Sequence, residues 1–188
     1  MLTHSQRHAI YDLMWPHIEN DCQLWTGRTE RAKSKTRDIP ESAYFDRMFN
    51  EFLSTIPVAF KETRKGHPFY TQVDHTIYHP NRARFHADRD YYASVLHEVG
   101  HWSGIITDRR VLPDDPEEEI LAEFISVFLQ AALHMPIDYA WHAAYVRDWA
   151  NKYKPFTPSQ TSRTHAVFMM AFDYTNLILE RTHEPRAA

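Results

Sequence analysis

Apolar side chains that recur every three or four residues predict six helices, two before residue 58 and four after residue 88. The first covers Ile10 to Ile18 and contains Pro16, which should kink or split it. The second begins near Pro40 and ends before Pro57. The later helices are expected over residues 89–103, from residue 116, over residues 139–153 and after residue 158.

Residues 58–78, between the two groups of helices, carry a different pattern. Short runs of β-branched and aromatic residues alternate there with turn formers, which predicts a small sheet. The sequence therefore indicates an α+β protein that is mainly helical, with the sheet placed before the third helix.

Capping residues mark the ends of the later helices. Asp88 is the predicted N-cap of the third helix, and Gly104 suits its C-terminal end. Asp115 is the predicted N-cap of the fourth helix, with Pro116 in its first turn and the glutamates of 117–119 at the positive end of the helix dipole. The residues of the last helix predicted to face inward are Val167, Met170, Ala171, Tyr174 and Ile178.

The length of 188 residues suits one domain rather than two. Residues 1–40 are expected to form an N-terminal helical extension with a basic loop, and residues 41–188 a single compact domain. The loop, residues 27–38, is polar and lacks apolar anchors. Hydrophobic residues make up 43% of the chain and charged residues 24%, a balance typical of folded rather than disordered proteins.

Charge and cysteine content restrict the partners and the location. Lys and Arg number 21 against 25 Asp and Glu, so the net charge of -4 supplies no overall basic field for nucleic acid or anionic lipid. No apolar run approaches the roughly 18 residues that span a bilayer, and the N-terminus lacks a signal-peptide pattern. The single cysteine, Cys22, excludes an internal disulfide and favours a reducing compartment, so we expect a cytoplasmic protein.

Thirteen histidines are the unusual feature of the composition, and two of them belong to a His-Glu-x-x-His motif at residues 97–101. On a helix, His97 and His101 lie one turn apart on the same side, so both imidazoles can reach one metal ion. Glu98 is rotated by about 100° around that helix, a position beside the ion that suits a base acting on water. The motif therefore points to metal-dependent hydrolysis.

A catalytic zinc usually takes three protein ligands, so a third group must come from elsewhere in the chain. Glu119 and Glu123 lie four residues apart on the next predicted helix and therefore share one face. One carboxylate could bind the metal while the other orients a ligand histidine, and the spacing alone leaves both assignments open.

Four stretches carry more specific motifs: residues 70–80; residues 91–104, YYASVLHEVGHWSG; residues 118–123, EEILAE; and residues 142–149, which contain HAAY and Trp149. Together they resemble the zincin-like metallopeptidase domain of the ArdC antirestriction protein family, and the resemblance covers about residues 45–153. The usual N-terminal single-stranded-DNA-binding domain of that family has no counterpart here, so DNA binding is not carried over.

The resemblance implies a zincin-like fold with a zinc site of the gluzincin type. By this resemblance His97, His101 and Glu119 bind the ion and Glu123 orients a ligand histidine. The reverse assignment of the two glutamates stays open. Manganese is the alternative ion, because availability decides much of what a His/His/Glu site holds.

The resemblance also implies three catalytic candidates. Glu98 would be the general base that takes a proton from water and later delivers it to the leaving amine. His142 and Tyr145 would stabilise charge that develops on the tetrahedral oxygen. In the alternative, Tyr145 is a core residue and His142 a surface residue.

The predicted function is a zinc-dependent metallopeptidase that hydrolyses a peptide bond of a protein or peptide substrate with metal-activated water. The resemblance adds an antirestriction or host-takeover role for a phage or plasmid. The main alternative is a catalytically silent zincin-fold binding protein that inhibits a host partner by occlusion. A third hypothesis, nucleic-acid binding through Arg28 to Arg37 with Trp25 nearby, conflicts with the negative net charge.

Overall fold

The computed structural model describes residues 1–19, 39–64, 66–112, 114–152 and 158–183, which contain six α-helices and one three-stranded sheet. The helices are α1 (His4–Glu19), α2 (Ile39–Thr55), α3 (Asp88–Trp102), α4 (Pro116–Ala132), α5 (Tyr139–Asn151) and α6 (Pro158–His183). The strands are β1 (Ala59–Thr63), β2 (Phe69–Thr71) and β3 (Thr76–Pro80). The predicted α+β class, mainly helical with a small sheet before α3, is confirmed.

Of the two effects predicted for Pro16, a kink or a split, the split is wrong, because α1 runs unbroken through this residue. Proline removes one helical hydrogen bond, but only one turn of α1 follows it. Met14, Trp15 and Ile18 are buried in this part of the helix, and their packing holds the last turn in place.

α3 starts one residue earlier than predicted, and Asp88 is not its N-cap. The cap is Ala87, whose side chain makes no capping hydrogen bond. The Asp88 carboxylate instead accepts a hydrogen bond from Nε of Arg82 at 2.9 Å and adds negative charge to the first turn. An ion pair with a neighbouring arginine therefore takes the place of the predicted cap.

The buried face of α6 differs from the predicted one. Met170 is 39% exposed, whereas Phe168 and Phe172 are buried. The ring of Phe168 lies 5.1 Å from that of Phe124 and 5.0 Å from that of Phe128, both on α4. These aromatic contacts set the face that α6 turns toward α4. The other predicted residues are buried or half-buried, as expected.

The sheet has the strand order β1-β3-β2, with β1 parallel and β2 antiparallel to β3. β2 is therefore an edge strand among the strands described. The backbone N–H of Tyr70, in the middle of β2, donates to Oε2 of Glu98 on α3 at 2.8 Å. The sheet thus presents a main-chain edge to the helix that carries the His-Glu-x-x-His motif.

α3 and α4 approach each other closely at Gly100. A Cβ at this position would lie 2.7 Å from the Cα of Ala122, a separation that real side chains do not adopt. α4 begins as predicted, because the Asp115 side chain accepts from the backbone N–H groups of Glu117 and Glu118. The close crossing brings the glutamates of α4 within hydrogen-bonding reach of the histidines of α3.

α1 packs against α5, and the ring of its Tyr11 contacts Phe168 of α6. The predicted basic loop, residues 27–38, and Cys22 lie outside the described residues. Among the helices of the described ranges, none combines the length and the apolar character needed to cross a bilayer.

Candidate metal centre

A cleft of about 730 Å³ lies between β2, α3, α4, α5 and the segment after α3. His97, Glu98 and His101 line this cleft and are each at most 9% exposed. Pro68 and Leu112 contribute to apolar walls on two sides of it. The cleft therefore combines a buried polar floor with apolar walls, as ligand-binding clefts do.

Three candidate ligand atoms converge at the floor of the cleft. One atom each from His97, His101 and Glu119 lie within 4.8 Å of one another. Nε2 of His97 is 3.3 Å from Oε2 of Glu119, and Nε2 of His101 is 3.7 Å from Oε1 of the same carboxylate. Two imidazole nitrogens and a carboxylate oxygen, held this close, could hold one divalent metal ion.

The outer nitrogens of both histidines are occupied by carboxylates. Nδ1 of His97 lies 2.7 Å from Oε2 of Glu123, and Nδ1 of His101 lies 3.0 Å from Oε1 of Glu118. A carboxylate accepts, so these contacts assign the proton of each neutral imidazole to Nδ1. Both Nε2 lone pairs then face Glu119, and the three residues could hold a divalent metal ion.

Glu123 is shared between two imidazoles. Its Oε2 binds His97, and its Oε1 lies 2.5 Å from Nδ1 of His142. The amide nitrogen of Gln130 lies 3.1 Å from Nε2 of His142 and also donates to the backbone carbonyl of Ser126. Because that amide nitrogen is a donor, Nε2 of His142 accepts and Nδ1 donates to Glu123.

Glu118 and Arg109 form a second support that the sequence analysis missed. The guanidinium donates to both carboxylate oxygens of Glu118, at 2.9 Å and 2.8 Å, and to the backbone carbonyl of Gly100 at 2.6 Å. Asp108 has a positive φ of 51° in the turn that returns Arg109 to the end of α3. The available signals were an arginine soon after the motif helix and the paired glutamates of 118–119.

Glu98 lies in the same cleft, adjacent to His97 in sequence but on a different side of α3. One of its oxygens accepts the Tyr70 N–H, as described above, so the edge strand orients the carboxylate. Among the hydrogen bonds of the described residues, none joins a side chain to the other oxygen of Glu98. Glu98 is therefore a positioned acceptor at the cleft, which a general base requires.

Tyr145 also lines the cleft, and its hydroxyl donates to Oε2 of Glu119 at 2.7 Å. Burial raises the pKa of its hydroxyl, and the negative charges of Glu123 and Glu119 raise the pKa further. The group therefore keeps its proton at neutral pH. The indole of Trp141 stacks on the phenol ring at 6.2 Å and restricts its orientation.

The carboxylates of the site stay ionised despite their burial. Burial acts to raise the pKa of Glu119, but the hydrogen bond and charge of His97 lower that pKa to about 2. Burial likewise acts against ionisation of Glu123, whereas His142 and His97 bring its pKa down to about 2. Burial lowers the pKa of His97, but Glu119 and Glu123 outweigh it, so the pKa lies well above its ordinary value. The site is therefore built to hold positive charge.

The structure brings six of the seven predicted site residues to the cleft, namely His97, Glu98, His101, Glu119, Glu123 and Tyr145. His142 is 1% exposed and is not among the cleft-lining residues; its Nδ1 points to Glu123. It is therefore neither at the cleft surface nor on the molecular surface. Its chemistry reaches the cleft through Glu123.

Curated relatives match a limited part of this chain. Two proteins named DNA primase TraC from Escherichia coli are each 38% identical to it over 88 residues, which make up 43% of this chain. Those residues make up 8% and 6% of the two relatives, so this chain spans less than a tenth of their length.

Solved structures with a similar fold include the antirestriction ArdC protein from the R388 plasmid. Its Mn(II)-bound structure aligns with a TM-score of 0.56 and 24% identity, covering 74% of this chain and 53% of that one. Its metal-free structure aligns with a TM-score of 0.52 and 22% identity, covering 71% and 50%. At these identities the likeness establishes the fold, and the predicted zincin-like fold is confirmed.

The family is established by a match over a larger share of the chain. A family model described as zincin-like metallopeptidase matches residues 47–155, from the middle of α2 to just beyond α5. These residues include every residue of the candidate metal centre described above. With 109 of its 188 residues matched, the chain belongs to the zincin-like metallopeptidase family.

Proposed function

We propose that this protein is a divalent-metal-dependent peptidase that hydrolyses a peptide bond of a protein or peptide substrate. The observation that carries the proposal is the convergence of His97, His101 and Glu119 to within 4.8 Å, with Glu98 beside them in one cleft. A metal site built only for stability is usually closed by four protein ligands. Three candidate ligands at an open cleft favour catalysis.

Zinc is the ion we propose, with manganese as the alternative. When bound by the two histidines and Glu119, the ion would supply an activated water and a Lewis acid for the scissile carbonyl. The protein's own contribution is to keep both Nε2 lone pairs aimed at that position, through the Glu118 and Glu123 contacts on the opposite ring nitrogens.

Glu98 is the proposed general base. Its carboxylate accepts the proton of the attacking water and returns it to the leaving amine. The Tyr70 N–H holds one oxygen at 2.8 Å, so the other is available for proton transfer in a fixed orientation. Tyr145 retains a donor hydroxyl and is the proposed partner of the developing oxyanion, which requires it to exchange Glu119 for the substrate.

The cleft suits an extended polypeptide. β2 forms one wall of the cleft and is an edge strand of the described sheet, so an extended chain could lie along it. The apolar walls include Val111 and Leu112 on the opposite segment. These features support a peptide as the substrate class.

The biological role we propose is antirestriction for a mobile genetic element. The support is the fold shared with a plasmid antirestriction protein. A binding protein that blocks its partner without cleaving it could use the same fold. This second candidate function predicts that protection does not depend on the base Glu98.

The test compares wild type with Glu98→Gln in a restricting bacterial host challenged with unmodified phage. Glu98→Gln keeps the shape and the acceptor for Tyr70 but removes the base, so we expect it to bind metal normally and to lose protection. His97→Ala should lose both metal binding and protection. Full protection by Glu98→Gln would overturn the catalytic proposal in favour of occlusion, and no protection by wild type would overturn the antirestriction role.

A further inference from the structure

We infer that His142 is a positioning residue for the metal ligand His97 and that it acts through Glu123. This inference rests on the proposed metal site and adds a third imidazole to it, one that touches neither the ion nor the substrate. Nδ1 of His142 and Nδ1 of His97 bind the two oxygens of one carboxylate, at 2.5 Å and 2.7 Å.

The first argument is the burial of the carboxylate. Glu123 is 2% exposed and His142 is 1% exposed, so water cannot replace either partner. Each oxygen of Glu123 has one imidazole donor, and loss of either donor leaves a buried anion half paired. Two fixed donors define the plane of the carboxylate, and that plane fixes the rotation of the His97 ring.

The second argument is the direction of the proton on His142. The Gln130 amide nitrogen lies 3.1 Å from Nε2 of His142 and 3.3 Å from both the carbonyl and the hydroxyl oxygen of Ser126. The Ser126 hydroxyl in turn donates to the backbone carbonyl of Ala93 on α3 at 2.8 Å. This chain of donors keeps the His142 proton on Nδ1, where Glu123 accepts it.

The third argument is the origin of the residues involved. His97 is on α3, Glu123 on α4 and His142 on α5, so the contact joins three helices at the metal site. If His142 only filled space between these helices, it would not need to donate a hydrogen bond to Glu123. The hydrogen-bonding demand is specific to one nitrogen of His142, and that specificity makes the inference testable.

The experiment uses two substitutions that each keep one half of the imidazole. In His142→Asn the amide nitrogen occupies about the position of Nδ1 and can still donate to Glu123. In His142→Gln the amide group lies near the position of Nε2 and retains only the contact with Gln130. Metal affinity of the metal-free protein is measured by competition with a chromophoric zinc chelator, together with the melting temperature of the metal-free form.

We expect His142→Gln to weaken zinc affinity by about 10- to 100-fold, as loss of a partner behind a metal ligand does elsewhere. We expect His142→Asn to stay within about threefold of wild type. Zinc affinity that is unchanged in both variants, or reduced equally in both, would overturn the inference. A selective loss in His142→Asn would also overturn it.

A structural role alone would lower the melting temperature without this difference in affinity. The cobalt(II) absorption spectrum supplies a second readout, which should change in His142→Gln and match wild type in His142→Asn. If His142→Gln does not fold, Gln130→Leu replaces it, because it removes the donor that keeps the proton on Nδ1. Unchanged affinity in Gln130→Leu would then overturn the inference. A wild type that binds no metal would instead overturn the metal site itself.

Discussion

The two histidines of the candidate metal centre are supported by similar carboxylates whose own partners differ. The His97 side consists of His97, Glu123 and His142; the His101 side consists of His101, Glu118 and Arg109. On the His97 side an imidazole from α5 backs the carboxylate, and the side chains of both groups are at most 3% exposed. On the His101 side a guanidinium from the turn after α3 backs the carboxylate, and its side chain is 13% exposed.

The difference separates two ways of orienting a ligand. The His97 side depends on the packing of α3, α4 and α5, because its three residues come from three helices. The His101 side depends on one short segment, since Arg109 also donates to the Gly100 carbonyl and to the hydroxyls of Ser103 and Thr107. We therefore expect damage on the His97 side to affect stability and metal binding together, and damage on the His101 side to affect mainly metal binding.

Glu123→Ala should have the largest effect. It leaves two buried imidazoles without an acceptor, so we expect a loss of about 3 to 5 kcal/mol in the free energy of unfolding and at least about 100-fold weaker zinc binding. Urea unfolding of the metal-free protein and chelator competition measure the two effects. The matched control is Glu117→Ala, on the same helix, whose carboxylate is exposed and pairs with Arg163. That surface pair contributes at most about 1 kcal/mol, and equal results for the two variants would contradict the account of Glu123.

Arg109→Ala should weaken zinc binding by about 10- to 100-fold with a smaller loss of stability. Glu118 would keep His101 as its partner but lose the two guanidinium contacts that fix its position. Arg110→Ala is the control, because Arg110 is the exposed neighbour on the same segment. Equal zinc affinity in the Arg109 and Arg110 variants would contradict the proposal that the Arg109 guanidinium helps to position the metal ligand His101.

Gly100→Ala should disturb both sides at once, to a lesser degree. Its Cβ would have to push α4 away from α3 at Ala122, which we expect to cost about 1 to 3 kcal/mol. Zinc affinity should fall as well, because the glutamates of α4 would move away from the histidines. Gly66→Ala is the control, since a Cβ there meets nothing within 4 Å. Thermal melting with and without zinc measures both effects, and a Gly100→Ala protein that melts like Gly66→Ala would show that the crossing is not tight.

The last expected effect requires no substitution and is the pH dependence of zinc binding. In the metal-free protein, burial lowers the pKa of His97, but Glu119 and Glu123 raise this pKa by more than burial lowers it. The pKa of His97 therefore lies well above its ordinary value. A proton on His97 then competes with the metal, and affinity should rise with pH by up to about tenfold per unit until that pKa is passed. Zinc titrations between about pH 6 and pH 8 measure the slope. A flat profile over this range would mean that His97 is already deprotonated.

Helical periodicity predicts the parts of the site that depend on a single helix. The positions of His97 and His101 one turn apart, and of Glu119 and Glu123 on one face, follow from a repeat of 3.6 residues. Asp115 at the start of α4 was predictable for the same reason, because a cap is a local interaction.

The remaining parts of the site depend on how elements cross, which a single sequence does not specify. Arg109 reaches Glu118 only because the turn after α3 folds back, and His142 meets Glu123 only because α5 packs against α4. The exposed face of Met170 and the displaced cap at Asp88 have the same origin, since contacts with other elements outweighed the local pattern.

A crystal structure of the protein grown with zinc, with an anomalous difference map at the zinc edge, tests the proposed metal centre most directly. The expected result is one peak within about 2.0 to 2.2 Å of Nε2 of His97, Nε2 of His101 and a carboxylate oxygen of Glu119. Glu123 should remain bound to Nδ1 of His97, away from the ion. A peak ligated by Glu123 in place of Glu119, or no peak between the two histidines, would contradict the assignment.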